Sequence, residues 1–98
     1  MTINKKTDGK TLTVTVSGRL DTSTAPSLEA ELKDSLGNIS ELVFDMKEVE
    51  YVSSAGLRVL LSAQKTMDKQ GSMKLLHVSD PVMDVFDVTG FTDLLTIE

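Results

Sequence analysis

Apolar and hydroxyl residues alternate through Thr11-Leu12-Thr13-Val14-Thr15-Val16, a period of two in β-branched types that predicts a half-buried strand. Asp8-Gly9 is a hairpin turn signal, across which Thr2-Ile3-Asn4-Lys5-Lys6 pairs as an edge strand with its lysines in water. Gly18 is expected to end the central strand, leaving Arg19-Leu20-Asp21-Thr22 as a loop. The period then lengthens. Leu28, Leu32 and Leu36 recur at i, i+4 and i+8 along one face of a helix. Ser23 or Thr24 caps it, Pro26 fits its first turn, Glu29 and Glu31 lie near its positive end, and Gly37-Asn38 stops it.

A continuous apolar strand follows from Ile39 to Met46, with Asp45 at or just past its end, as expected of a strand buried on both faces. Ser53 or Ser54 opens a second helix, with Leu57, Leu60, Leu61, Ala63 and Met67 inward, Gln64, Lys65, Asp68 and Lys69 outward, and Gly71 as terminator. Met73 to Val78 reads as another strand. Asp80-Pro81 caps a third helix whose Val82, Val85 and Phe86 face the core before Gly90, and Leu94 to Ile97 closes the chain as a short strand. Alternating strands and helices predict right-handed crossovers and helices packed on a mixed sheet, an α/β fold.

Composition narrows what such a domain does. Its 98 residues suit a single domain, residues 1–98, with one modest core. No run approaches the roughly 20 apolar residues that cross a bilayer, and the first residues lack the apolar segment of a signal peptide. The expectation is a cytoplasmic protein with no direct membrane insertion. Absent cysteine removes disulfides and thiol catalysis, and a lone His77 removes histidine-cluster zinc sites and two-imidazole mechanisms. A net charge of -5 makes nucleic acid an unfavourable partner. No cofactor is implied.

One segment stands out. After Leu42-Val43-Phe44-Asp45 the chain runs through Tyr51-Val52-Ser53-Ser54-Ala55-Gly56-Leu57-Arg58 into the second helix. Gly56 costs about 1 kcal/mol relative to alanine inside a helix, so its place beside the cap points to a close backbone approach there, by the chain's own neighbours or by a partner. These stretches, with Val59-Leu60-Leu61 and Gly18-Arg19-Leu20-Asp21, resemble the STAS domain, the sulphate transporter and anti-sigma factor antagonist domain, in its bacterial single-domain form.

The resemblance implies a mixed, mostly central-parallel sheet with helices on one side, and a role as a phosphorylatable switch rather than an enzyme. In that family an unphosphorylated antagonist binds an anti-sigma factor that is also a serine kinase, freeing a sigma factor. Phosphorylation ends the interaction, and a PP2C-type phosphatase restores it. The family pattern Asp-Ser-(Ser or Thr)-Gly-Leu aligns with Ser53-Ser54-Ala55-Gly56-Leu57, which makes Ser54 the phosphoacceptor and Ser53 the second choice. The partner surface it implies comprises Asp21, Thr22 and Thr24 together with Ser53, Ser54, Gly56, Leu57 and Arg58. Physical chemistry supports Ser54 separately: the first turn of a helix offers free N–H groups and a positive dipole end to a phosphate. Arg58, at i+4, leans back toward it.

Other polar residues have plainer readings. Ser54 and Asp21 could serve simply as a helix cap and a turn residue, readings that stand beside the roles the resemblance implies, whereas Ser53 reads first as a cap or contact residue and His77 as a structural histidine. Asp45, Glu48 and Glu50 form a solvated face around a loop rather than a magnesium site. Met46, Met67, Met73 and Met83 fill gaps in a core poor in aromatics. The rival functional class is a soluble STAS subunit of a membrane transport assembly of ABC type, for lipid or anion, followed by a nucleotide- or lipid-binding module.

Overall fold

The computed structural model describes all 98 residues as β1 (Thr2–Asp8), β2 (Thr11–Leu20), α1 (Ala25–Ser35), β3 (Glu41–Val52), α2 (Ser54–Gln70), β4 (Ser72–Leu76), α3 (Asp80–Thr89) and a 3-10 turn (Phe91–Asp93). β1 pairs antiparallel with β2, and Asp8 opposite Thr11 leaves Gly9-Lys10 as the hairpin loop, with Gly9 at φ 62. β2 and β3, then β3 and β4, pair in parallel, so the sheet order is β1-β2-β3-β4. Right-handed crossovers that step the same way each time lay their helices on one face. That face carries Leu12, Val14 and Val16, Leu42, Phe44 and Met46, and Met73 and Leu75. They join Leu28 and Leu32 of α1, Leu57, Leu60, Ala63 and Met67 of α2, and Val82 and Phe86 of α3 in one buried cluster. Phe44 and Phe86 are fully buried, each contributing about 1.5–3 kcal/mol by leaving water. The half-buried threonines 11, 13 and 15 mark the face without helices.

Both central strands run further than the sequence predicts. β2 continues through Gly18, which takes φ 94, to Leu20, so Arg19 and Leu20 belong to the strand and not to a loop. β3 spans twelve residues, which places Asp45 inside it rather than at its end and Glu48 and Glu50 on a strand rather than around a loop. Two bulges explain the misreading. Thr15 pairs with Asp45 but Ser17 with Glu48, and Gly18 pairs with Val49 but Arg19 with Tyr51, so β3 gains a residue at each irregularity. The buried positions become Met46, Val49 and Val52, three apart, and the period-two signature of a strand disappears.

Smaller differences follow from local geometry. Glu29 and Glu31 lie beyond the first turn of α1, which contains no acidic residue. Glu31 instead pairs with Lys5 of β1 at 2.7 Å. Gln64, expected outward, is buried, and its amide donates to Asp68 at 2.9 Å. β4 ends at Leu76 because His77 takes φ 58, a conformation outside the strand region. There its Nδ1 lies 3.1 Å from Asp45 Oδ1. Ser79 occupies the N-cap of α3, so Asp80 is its first helical residue rather than its cap, and Val85 is only half-buried. The expected last strand is one parallel bridge, Leu75 to Ile97, that follows the 3-10 turn. Two bonds of 2.9 Å hold it, from the Leu75 N–H to Thr96 and from the Glu98 N–H to Leu75.

Candidate functional site

The end of β2 turns into α1 on a single carboxylate. Asp21 Oδ1 accepts from the Ser23 N–H at 3.0 Å, the Ser23 hydroxyl at 2.7 Å and the Thr24 N–H at 3.2 Å. Neither Ser23 nor Thr24 caps the helix with its side chain, as the sequence predicts one of them to do. Thr24 occupies the N-cap with helical backbone, and its hydroxyl donates to the Arg19 carbonyl at 2.7 Å and accepts from the Asp21 N–H at 2.9 Å. The Asp21 carboxylate instead closes the turn that precedes the helix, on the N–H groups of Ser23 and Thr24. The Ser23 hydroxyl, more than any other group, holds the Asp21 carboxyl below its ordinary value, with help from the Ser23 and Thr24 N–H groups and against the smaller effect of partial burial.

Leu20 ties this turn to the start of α2. Its carbonyl accepts from the Ser53 N–H at 2.9 Å. A Cβ on Gly56 would lie 2.7 Å from Leu20 Cγ, 2.8 Å from the Leu20 carbonyl oxygen and 3.1 Å from Val52 Cγ1. Only glycine lets the helix seat this closely, and the neighbours that require it are the chain's own. Ser53 is the N-cap in extended conformation, and its hydroxyl accepts a long 3.4 Å bond from the Gly56 N–H. Ser54 is therefore the first helical residue. Its side chain is exposed, and the N–H groups of the first turn have no acceptor within the helix.

The site residues named from sequence divide in two. Asp21, Thr22, Thr24, Ser53, Ser54 and Arg58 reach the surface, whereas Gly56 and Leu57 are buried behind it and position the others. Arg58 is exposed and makes no ion pair. It lines, with Thr22, Pro26, Ala55 and Ser62, an open groove of about 690 Å³ between α1 and α2. Sequence reasoning missed Arg19 and Tyr51, paired across β2 and β3. The guanidinium sits 4.5 Å from the ring centroid and 3.6 Å from Asp21 Oδ2, at the foot of the turn. A loop assignment for both hid a cross-strand pair that regular strands would have made visible.

Opposite Thr15 on the helix-free face of the sheet, Asp45 is held below the ordinary aspartate value. Burial, the largest single effect, pushes it up, but the His77 contact, the Lys47 N–H and the charges of both residues together outweigh it.

A family model described as the STAS domain matches residues 2–98. The anti-sigma-B factor antagonist of Bacillus subtilis is 31% identical over 96 residues, covering 97% of this chain and 88% of that protein. A crystal structure of an anti-sigma factor antagonist from Mycobacterium paratuberculosis superposes with a TM-score of 0.88 at 24% identity, over 98% of this chain and 83% of that one. The anti-sigma factor antagonist SpoIIAA in its unphosphorylated form gives 0.84 at 17% identity, over 99% and 88%. The Bacillus cell fate determinant SpoIIAA in its phosphorylated form gives 0.77 at 16%, over 99% and 91%.

Proposed function

Because the chain belongs to the STAS domain family, we propose that it is an anti-sigma factor antagonist that binds an anti-sigma factor with serine kinase activity in the cytoplasm and is released by phosphorylation of Ser54. The observation that carries this reading is the exposed hydroxyl of Ser54 on the first residue of α2, beside an unpaired arginine and the Asp21 turn. The names of the curated relatives and the existence of a like fold in both phosphorylation states support it.

The chemistry is done to this chain. The partner kinase supplies ATP and the catalytic groups, and a PP2C-type phosphatase resets the serine, so the domain itself performs no catalysis. A phosphate on Ser54 brings about -1.5 to -2 charges to the positive end of a 17-residue helix, where the fold tolerates it. Arg58 closes on it from one turn further along. The partner, complementary to a neutral hydroxyl, must then desolvate or repel that charge, and each 1.4 kcal/mol of penalty is about tenfold in affinity.

The test is incubation with a cognate kinase and ATP, followed by mass mapping and partner binding. We expect phosphate on Ser54, retained binding by Ser54→Ala, and loss of binding by Ser54→Asp with an unchanged circular dichroism spectrum. Phosphate on neither Ser53 nor Ser54, with binding indifferent to Ser54→Asp, would move the protein to the class of soluble subunits of transport assemblies.

A further inference from the structure

The net charge is distributed very unevenly. Residues 1–78 hold ten acidic and ten basic side chains, whereas residues 79–98 hold Asp80, Asp84, Asp87, Asp93 and Glu98 and no lysine or arginine. The whole net charge of -5 therefore belongs to α3 and the segment after it. None of these five carboxylates takes part in an ion pair or a side-chain hydrogen bond.

On α3 the charges have a pattern. The dipeptides Asp80-Pro81, Asp84-Val85 and Asp87-Val88 recur at i, i+4 and i+7. At 100° per residue this spacing builds two adjacent ridges along the solvent side, one acidic and one apolar. The acidic ridge is exposed throughout, and in the apolar ridge Pro81 is exposed, Val85 half-buried and Val88 88% exposed. Leu94, six residues beyond Val88, is 52% exposed.

Asp80 and Pro81 suit the first turn of α3, where the dipole favours an anion and proline fits, but the fold gains nothing from the choices further along. Like charges at i, i+4 and i, i+3 weaken a helix, Asp87 stands at the end where the dipole disfavours an anion, and an exposed β-branched valine is a poor helix former. The buried side of α3, Val82 and Phe86, satisfies the core without them. An apolar ridge beside a row of single-sign charge is the geometry with which one helix receives another whose apolar seam is flanked by the opposite charge.

We propose that the outer face of α3 is a docking surface for a basic amphipathic helix of a protein partner, with an apolar seam against Pro81, Val85 and Val88 and lysines or arginines facing Asp80, Asp84 and Asp87. Charge complementarity selects this occupant: a second copy docking through the same face would set its own five carboxylates against these, the remainder of the chain has no net positive charge to offer, and anionic lipid would be repelled. The ten-residue helix offers a short seam, so the contact is transient by itself and strongly salt-dependent. It shares no residue with the site at Ser54.

The test is amide NMR of the isotope-labelled full chain titrated with two synthetic helical peptides that have leucine at the seam and either lysine or glutamate at the flanks. We expect the lysine peptide to shift resonances within 80–95, to lose affinity by about tenfold or more against the double variant Asp84→Asn/Asp87→Asn and by a comparable factor against Val88→Ser, and to be displaced by salt. Circular dichroism of each variant guards against misfolding. Shifts centred on the α1–α2 groove, equal binding of the glutamate peptide, equal binding by the variants, or self-association of the free chain through Val88 would each overturn the proposal.

Discussion

At the scale of single residues, Gly56 and Asp21 do the most for the least mass. Gly56→Ala gains up to about 1 kcal/mol of helix propensity but drives a methyl into Leu20 from 2.7 Å. The backbone carbonyl at 2.8 Å cannot step aside like a side chain. Overpacking of this kind costs about 1–3 kcal/mol, so we expect net destabilisation in urea denaturation, with the largest NMR shifts at Leu20 and Ser53. Asp21 predicts an acid limit. Its folded pKa lies below the ordinary 3.8, so its contribution to stability is fully present above that value and is lost as pH falls through the folded one. Carbon-detected NMR should place the Asp21 midpoint below 3.8, and Ser23→Ala, which removes the largest cause, should raise it. Unchanged titration in Ser23→Ala would show that the Ser23 hydroxyl is not what holds the carboxyl down.

At the scale of elements, the two strands that sequence shortens are the ones that carry the candidate site. The alternation of Thr11 to Val16 and the spacing of Leu28, Leu32 and Leu36 are visible because each element is regular and has one wet face. β3 hides its second half because two bulges re-phase it, and Met46, Val49 and Val52 then mimic the three-residue spacing of a helix. The phasing is testable by substitution. Val49→Ala should cost about 1–3 kcal/mol, while Glu48→Ala and Glu50→Ala stay within about 0.5 kcal/mol, whereas an unbulged strand would bury both glutamates on the core side. The candidate site was legible in outline, because Ser54, Gly56 and Arg58 occupy one helical turn and Asp21 precedes a proline-marked helix. What sequence could not supply is the Leu20 carbonyl joining two segments 33 positions apart, or the stacking of Arg19 on Tyr51. Both depend on a parallel register that no local pattern encodes.

At the scale of the whole molecule, three helices and three strands share one core cluster, against which β1 packs only Ile3, so a cavity anywhere in it should be felt everywhere. Phe86→Ala, in a helix remote in sequence from Ser54, should cost about 3–5 kcal/mol, a large part of the roughly 5–15 kcal/mol expected of such a domain. Unfolding followed at Tyr51 and by far-ultraviolet circular dichroism should then coincide and shift together, and separate transitions would deny the cooperativity. The junction at Leu20 has one more implication. It is a bolt: a main-chain bond and a glycine pressed against a leucine fix the head of α2 to the sheet. With no slack at that joint, an event at Ser54 has no lever by which to move distant parts of the molecule. The phosphate proposed at Ser54 would then be read by touch, by a protein whose own surface covers the serine.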